Sequence, residues 1–285
     1  MCKACNKYTI IKNAKDGVGY LGNPVLLPLY DELELLMVKL FGYQLKDALE
    51  NIEGLLLLEK EIPIQVEDDI TIAVEGILQK VYVAGQDLIL ASILAELGDL
   101  SIDLEGSISI VDDIALEYAE YRAGELIRGV TQTTQEQVAK LVTKAMKDGR
   151  SKKYLAEQIY TKFDQYNTVR SALIAHQEIA LAHGNSSYTQ FQDLVGRFGQ
   201  EGYKRNQTQN DAKVRPEHYD AQLEGWILSS KEFQSTGTLH EPHGFNCRCK
   251  VTYRVFKPSE NTYTLLPYNS IQQFQDAGNV VAPLF

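Results

Sequence analysis

Long stretches of helical periodicity fill the first two thirds of the chain and give way to short alternating runs in the last third. Leu29, Leu33, Leu36, Leu40, Leu45, Leu49 and Ile52 recur at three- to five-residue steps. That spacing lines one apolar stripe and predicts a helix over 29–52. Gly54 interrupts before Leu55–Leu58, and Pro63 ends that run because proline lacks an N–H and clashes inside a helix. Ile70, Val74, Ile77, Leu78, Val81, Leu88, Ile89, Ile93, Leu94 and Leu97 predict a second helix over 69–97. Gly76 and Gly85 weaken it as an unbroken element. Residues 98–106 read as a loop, or as a short strand through Leu100, Ile102 and Leu104. A third helix is expected over 110–128.

The pattern changes at Gly129. Thr134 with Gln137 fits a capping box, in which hydroxyl and amide each satisfy an orphan N–H. The helix this opens carries Val138, Leu141, Val142 and Ala145 and stops at Asp148-Gly149. Ser151 is expected to cap the next helix, which runs to Phe163 with Leu155 and Ile159 at helical spacing. Asn167 or Thr168 is expected to cap a third, running to about Asn185. Three such helices with short loops predict a compact helical layer.

After Gly196 the periodicity shortens. Tyr203–Thr208, Trp226–Leu228 and the alternating Lys250–Phe256 (Val251, Tyr253, Val255) read as strands, and Asn210–Ala212 as a turn. Residues 1–28 hold Gly17, Gly19, Gly22, Pro24 and Pro28, too dense a punctuation for a helix, and read as an extended arm. Residues 257–285, with Pro258, Pro267 and Pro283, read as an extended tail. The fold class expected is mostly α with a small α+β C-terminal module: a helical N-terminal region, a helical layer, then short antiparallel strands. The domain division expected is 1–28, 29–128, 129–256 and 257–285.

Charge sharpens that division. The 285 residues carry a net charge of −10, unevenly spread. Residues 1–130 hold 10 Lys+Arg against 23 Asp+Glu, and residues 131–285 hold 18 against 15. The acidic part would repel nucleic acid and suits a basic protein surface. The mildly basic part supports at most weak DNA contact. No run of about 18 apolar residues predicts a membrane span. The N-terminus lacks the apolar core of a signal peptide, so a reduced protein made in the cytoplasm is the expectation.

The chemistry is concentrated between Arg215 and Cys249. Three of the five histidines (His218, His240, His243), two of the four cysteines (Cys247, Cys249) and the single tryptophan, Trp226, lie there. Cys247 and Cys249 at i and i+2 point to one side of a strand. With His218 and His243 they make a candidate Cys₂His₂ set for a structural Zn²⁺. The same residues would alternatively pack and hydrogen-bond without a metal. A nuclease reading takes His218 as general base with His240, His243 and Asn246 on a divalent ion, loosely like an HNH site, but lacks the paired acidic ligand. A thiol reading takes Cys247 as nucleophile and His218 or His243 as base. A Cys247–Cys249 disulfide is disfavoured by strain in so short a ring. Cys2 and Cys5 have half of a zinc-knuckle spacing, or are free thiols. Arg215 and Arg248 would pair with Glu217 or Asp220, or face phosphate. Trp226 is expected in the core, and His176 and His183 on the core or surface of their helix.

The ordered fragments G-V-T-Q-T-T, L-V-T-K-A-M-K-D-G-R-S, R-S-A-L-I-A-H-Q-E-I-A-L-A-H-G-N, D-A-K-V-R-P-E-H-Y-D-A-Q-L-E-G-W and E-P-H-G-F-N-C-R-C-K-V resemble the phage Mu F-like minor head protein family over residues 129–255. Val214-Arg215-x-x-His218, Gly225 and Pro242-x-x-x-x-Cys247-Arg248-Cys249 are the most specific pieces. His176 stands where the family carries arginine. The resemblance implies a non-enzymatic structural protein of the virion head, near the portal, made in the host bacterial cytoplasm. It implies contact with the portal protein or capsid interior through the N-terminal helical part, a role in head assembly and DNA packaging or delivery, and no small-molecule substrate.

Overall fold

The computed structural model describes residues 25–50, 68–97, 105–197, 199 and 201–255. Cys2 and Cys5, the arm up to residue 24, the Leu55–Leu58 run, the 98–104 segment and the 257–285 tail lie outside the described residues. Among the described residues, six α-helices and three short strands follow in chain order: α1 Leu26–Glu50, α2 Asp68–Leu97, α3 Glu105–Lys147, α4 Lys152–Gln165, α5 Ser171–Arg197, β1 Tyr203–Gln207, α6 Pro216–Leu223, β2 Ile227–Leu228 and β3 Lys250–Arg254. The expected class, mostly helical with a small antiparallel sheet near the C-terminal end, is what the chain forms.

Several boundaries moved, each for a local reason. α1 begins at Leu26, inside the expected arm, and Pro28 falls in its first turn, where the missing N–H has no intrahelical partner to lose. α2 runs unbroken through both glycines. A Cβ on Gly85 would stand 2.0 Å from Ser186 Oγ, so this glycine permits the close approach of α5. The break expected at Gly129 is absent: α3 runs for 43 residues. Thr133 and Thr134 donate their hydroxyls back to the carbonyls of Gly129 and Val130, at 2.7 and 2.9 Å. The threonine that would have capped a new helix is thus satisfied inside the existing one.

Other signals held. α3 ends at Asp148-Gly149, where Gly149 takes φ +60°. Its N–H bonds Met146 O and that of Arg150 bonds Ala145 O, the paired bonds of a Schellman stop. Ser151 Oγ then accepts from Tyr154 N at 3.3 Å and caps α4. No cap separates α4 from α5. A π-helical turn, Tyr166–Arg170, joins them, and α5 continues past Asn185 to Arg197.

The chain divides into two compact units. Among described residues the first gathers 28–50, 68–79 and 116–176. Its interior is apolar: Leu33, Met37, Leu40, Phe41, Val74, Leu78, Leu155, Ile159 and Phe163 are buried. Arg170, in the π turn, stacks over Phe41 and Tyr166 and donates to Thr134 Oγ1 and Val130 O at 3.2 and 3.3 Å.

The second unit holds the sheet, in the order β2-β1-β3, with both pairings antiparallel. Phe191, Leu194 and Val195 of α5 pack with Val251, Tyr253 and Val255 and with Ala221, Phe233 and Ile93. The alternation read in β3 is the pleat presenting Val251 and Tyr253 to that core. β1 departs from such alternation. Lys204, Arg205 and Asn206 are all buried in succession on this central strand. Trp226, expected in the core, is only half-buried.

A candidate metal centre

β1 positions the centre through Asn206. Its Nδ2 donates to the carbonyl of His218 at 3.0 Å, and its Oδ1 lies 2.8 Å from His243 Nε2. One buried amide on the central strand thus fixes both a helix and a loop. The helix is α6, which was not foreseen. Pro216 occupies its first turn, and Gly225 follows its end with φ +69°, the proline-first, glycine-last asymmetry of helices. The proline and glycine that bound it are both visible in the sequence between Arg215 and Trp226. α6 buries His218, Ala221 and Gln222 on one side. Gln222 Oε1 in turn accepts from Thr208 N and Oγ1 at 2.7 and 3.0 Å, tying α6 to the end of β1.

The cysteines arrive just before β3, after Asn246 in the left-handed region (φ +57°). Both are buried. His218 Nδ1 lies 3.3 Å from Cys249 Sγ and 3.5 Å from Cys247 Sγ. Cys249 N donates to Cys247 Sγ at 3.4 Å. The hydrogen bond between the two thiols pulls the Cys247 thiol well below its ordinary range, against its burial and with help from His218. That same hydrogen bond, with burial, pushes Cys249 up. The three donor atoms lie within 4.8 Å of one another and could hold a metal ion.

His243, the fourth residue of the proposed set, sits beside them differently. Its ring meets that of His218 edge-on, with centroids 5.4 Å apart. Its two nitrogens are already engaged, Nδ1 with Thr238 Oγ1 at 2.6 Å and Nε2 with Asn206 Oδ1 at 2.8 Å. Burial lowers its pKa, against the pull of Cys247 and Glu241, and favours the neutral ring. His240 is directed elsewhere, with Nδ1 2.6 Å from the Glu241 carbonyl. Among the described residues, His218, Cys247 and Cys249 are the one metal-competent His/Cys/Asp/Glu group.

The arginines settle into local roles. Arg248 forms a two-pronged ion pair, both contacts 2.7 Å, with Asp211 rather than with Glu217 or Asp220. Arg215 Nη2 donates to the Phe245 carbonyl. Both arginines therefore brace the loop that carries the cysteines.

A second buried polar group was not singled out from sequence. Glu241, 1% exposed, has Oε1 3.7 Å from His183 Nδ1. Burial opposes its charge, but the neighbouring His183 and then His240 hold its carboxyl below the usual range. Lys204 lies in the same unit with Nζ 2.5 Å from Leu239 O and over the rings of Phe233 and Tyr188. Its burial lowers its pKa to about 8, against the pull of Glu232, Glu241 and Glu224. A Cβ on Gly184 would stand 1.9 Å from Glu241 O, so the glycine of A-H-G-N exists for this approach.

Residues 136–252 match the family model described as Phage Mu protein F like protein. No curated protein and no solved structure matches the chain. The matched stretch includes the end of α3, all of α4, α5, α6, β1 and β2, and all three metal-competent donors. Over residues 136–252 the chain is similar to phage Mu F-like proteins.

Proposed function

We propose that the chain is a minor structural component of the virion head, seated near the portal, and that its C-terminal unit is closed by Zn²⁺. The family match over residues 136–252 carries the first part of this reading. In it the acidic N-terminal helices dock on the portal or on the capsid interior, and the protein serves head assembly and DNA packaging or delivery. Charge supports this division of labour: the net charge of −13 over residues 1–130 suits a basic protein surface and disfavours DNA. No helix among the described residues is long and apolar enough to cross a membrane. Particles from a phage lacking this chain are expected to fail in head assembly or in DNA delivery. Normal assembly and delivery would exclude the role.

The donor set carries the zinc part. Two thiolates and an imidazole favour Zn²⁺ among common cellular divalent ions. At ordinary Zn–S and Zn–N bond lengths a tetrahedral site has an N-to-S edge of about 3.6 Å. The observed 3.3 and 3.5 Å need little adjustment to admit the ion. The fit is better than that of the HNH-like alternative, whose His240 and His243 are engaged outside the cluster. Elemental analysis of purified protein should give about one zinc per chain. A value near zero would remove the metal while leaving the head role standing.

A further inference from the structure

Three protein donors leave one corner of a tetrahedral metal to fill, and a small cavity adjoins all three donors. A cavity of about 20 Å³ is lined by His218, Cys247 and Cys249 and also by Lys213, Arg215 and Asn246. That volume accommodates a single water-sized group. Asn246 Oδ1 is buried and has no hydrogen-bond partner. It is an acceptor awaiting a donor such as a metal-bound water.

The charges around the cavity are asymmetric. Two thiolates balance a divalent ion, so the loaded centre is neutral. Arg248 also lines the cavity but is neutralised by Asp211. Arg215 donates to a carbonyl, which leaves its charge uncompensated by that contact. Lys213 is exposed and adds a second cation. The α6 N-terminus, whose partial positive charge adds to these, also borders the cavity through Arg215 and His218. His243 cannot complete the coordination without giving up its bond to Thr238 or Asn206.

We propose that the metal keeps a fourth, exchangeable position, filled by a water that a carboxylate of a partner protein displaces. The proposal rests on the zinc reading above. Exchange is a simple substitution: one metal–oxygen bond to water breaks, one to the carboxylate forms, and no electrons are transferred. The cavity admits one oxygen, which a carboxylate can supply once the Asn246 amide turns its Nδ2 inward to donate, with the other carboxylate oxygen toward the Arg215 guanidinium. The site would thus read an acidic side chain or a chain terminus on the surface where the module docks.

The test uses the full chain loaded with Co²⁺, whose visible absorption reports its ligands. Acetate, and separately inorganic phosphate, is added at constant ionic strength. Acetate is expected to shift the ligand-field bands saturably, with the thiolate-to-cobalt band unchanged. Arg215→Gln should weaken acetate binding about tenfold, as expected for loss of a charged hydrogen-bond partner. Because Arg215 also holds the Phe245 carbonyl, Lys213→Gln is the second variant, expected to weaken binding about threefold through charge alone. Bands insensitive to acetate would overturn the proposal, as would a response to phosphate alone or acetate affinity unchanged in both variants. A thiolate band that weakens in Cys2→Ser/Cys5→Ser would overturn it too, because a fourth thiolate would then close the site. If cobalt gives no thiolate band in the unaltered chain, the metal reading fails and the exchangeable position fails with it.

Discussion

The two units solve the problem of a stable interior in opposite ways. In the first, buried positions are overwhelmingly aliphatic and aromatic, and buried polar groups, such as Gln44 donating to Thr131 Oγ1 at 3.1 Å, are few. In the second, Lys204, Arg205, Asn206, His218, Gln222, Glu241 and His243 are buried in a unit of short strands and loops. The first unit gains most of its stability from area removed from water. The second depends on partners being present, because an unpaired buried polar group costs more than a made one contributes. Its centre at His218, Cys247 and Cys249 is the extreme case, since a bound metal would replace three separate desolvation costs by coordination.

The comparison breaks first at the metal. Cys249→Ser is expected to lose zinc and to destabilise the second unit by on the order of 5 kcal/mol or more. Hydrogen exchange followed peptide by peptide should show lost protection across Tyr203–Arg254, with the first-unit stretch of α3 unchanged. EDTA should reproduce the pattern in the unaltered chain. Uniform loss across both units, or none, would show that the second unit does not depend on its metal.

The reverse perturbation is Phe163→Ala. Phe163 is fully buried in the first unit and packs on Tyr166, with centroids 5.2 Å apart. Its truncation should cost about 4 kcal/mol. Protection should fall in α1 and α4 while the zinc content stays that of the unaltered protein. Loss of zinc in this variant would mean that the two units do not stand independently.

These contrasts also explain what could be read in advance. Helices whose apolar residues recur at helical steps, such as α1, α2 and α4, were found to within a few residues. The helix stop at Gly149 and the cap at Ser151 were equally legible, because both act through their own side chain or backbone. Gly129, Thr134 and the 166–170 junction misled because their outcome depends on what the rest of the helix supplies. A threonine hydroxyl bonds back to Val130 as readily as it caps, and an exposed glycine costs only about 1 kcal/mol in a helix long enough to absorb it. The cysteines and His218 stood out by rarity, and α6 brings them together. Asn206, Glu241 and Lys204 gave no such signal: an ordinary polar residue in a short strand reads as solvent-facing until the fold buries it.

Asn206 tests whether the second unit's polar network is cooperative. Asn206→Ala removes the donor to His218 O and the acceptor facing His243 Nε2 and leaves both buried. The expected cost is about 3 kcal/mol, with weaker zinc affinity because His218 loses its anchor. Asn206→Asp separates the two bonds. It keeps an acceptor for His243 and loses the donor to the His218 carbonyl, so an intermediate loss of zinc affinity is expected. Equal affinity in all three proteins would show that α6 is positioned without Asn206.

The smallest effect is expected at Lys204 and has the opposite sign. Its pKa of about 8 lies below the ordinary lysine value of 10.5, with burial as the leading cause. Below pH 8 it is charged in both folded and unfolded chains, and the folded state bears the full burial penalty. Between pH 8 and 10.5 the unfolded chain binds more protons than the folded one, so this group's contribution to stability rises with pH. Lys204→Met should therefore stabilise the second unit at pH 7, by about 1 kcal/mol once the lost contact with Leu239 O and the stacking over Phe233 are discounted. Tyrosines and thiols titrate in the same range, so the informative quantity is the difference between variant and parent. That difference should narrow as pH is raised from 8 toward 10.5 in denaturant melts. A difference independent of pH would mean that the ammonium keeps its proton in the folded chain. The carbonyl and the two rings would then hold Lys204 as firmly as water does, and the second unit's polar interior would carry no penalty at this position.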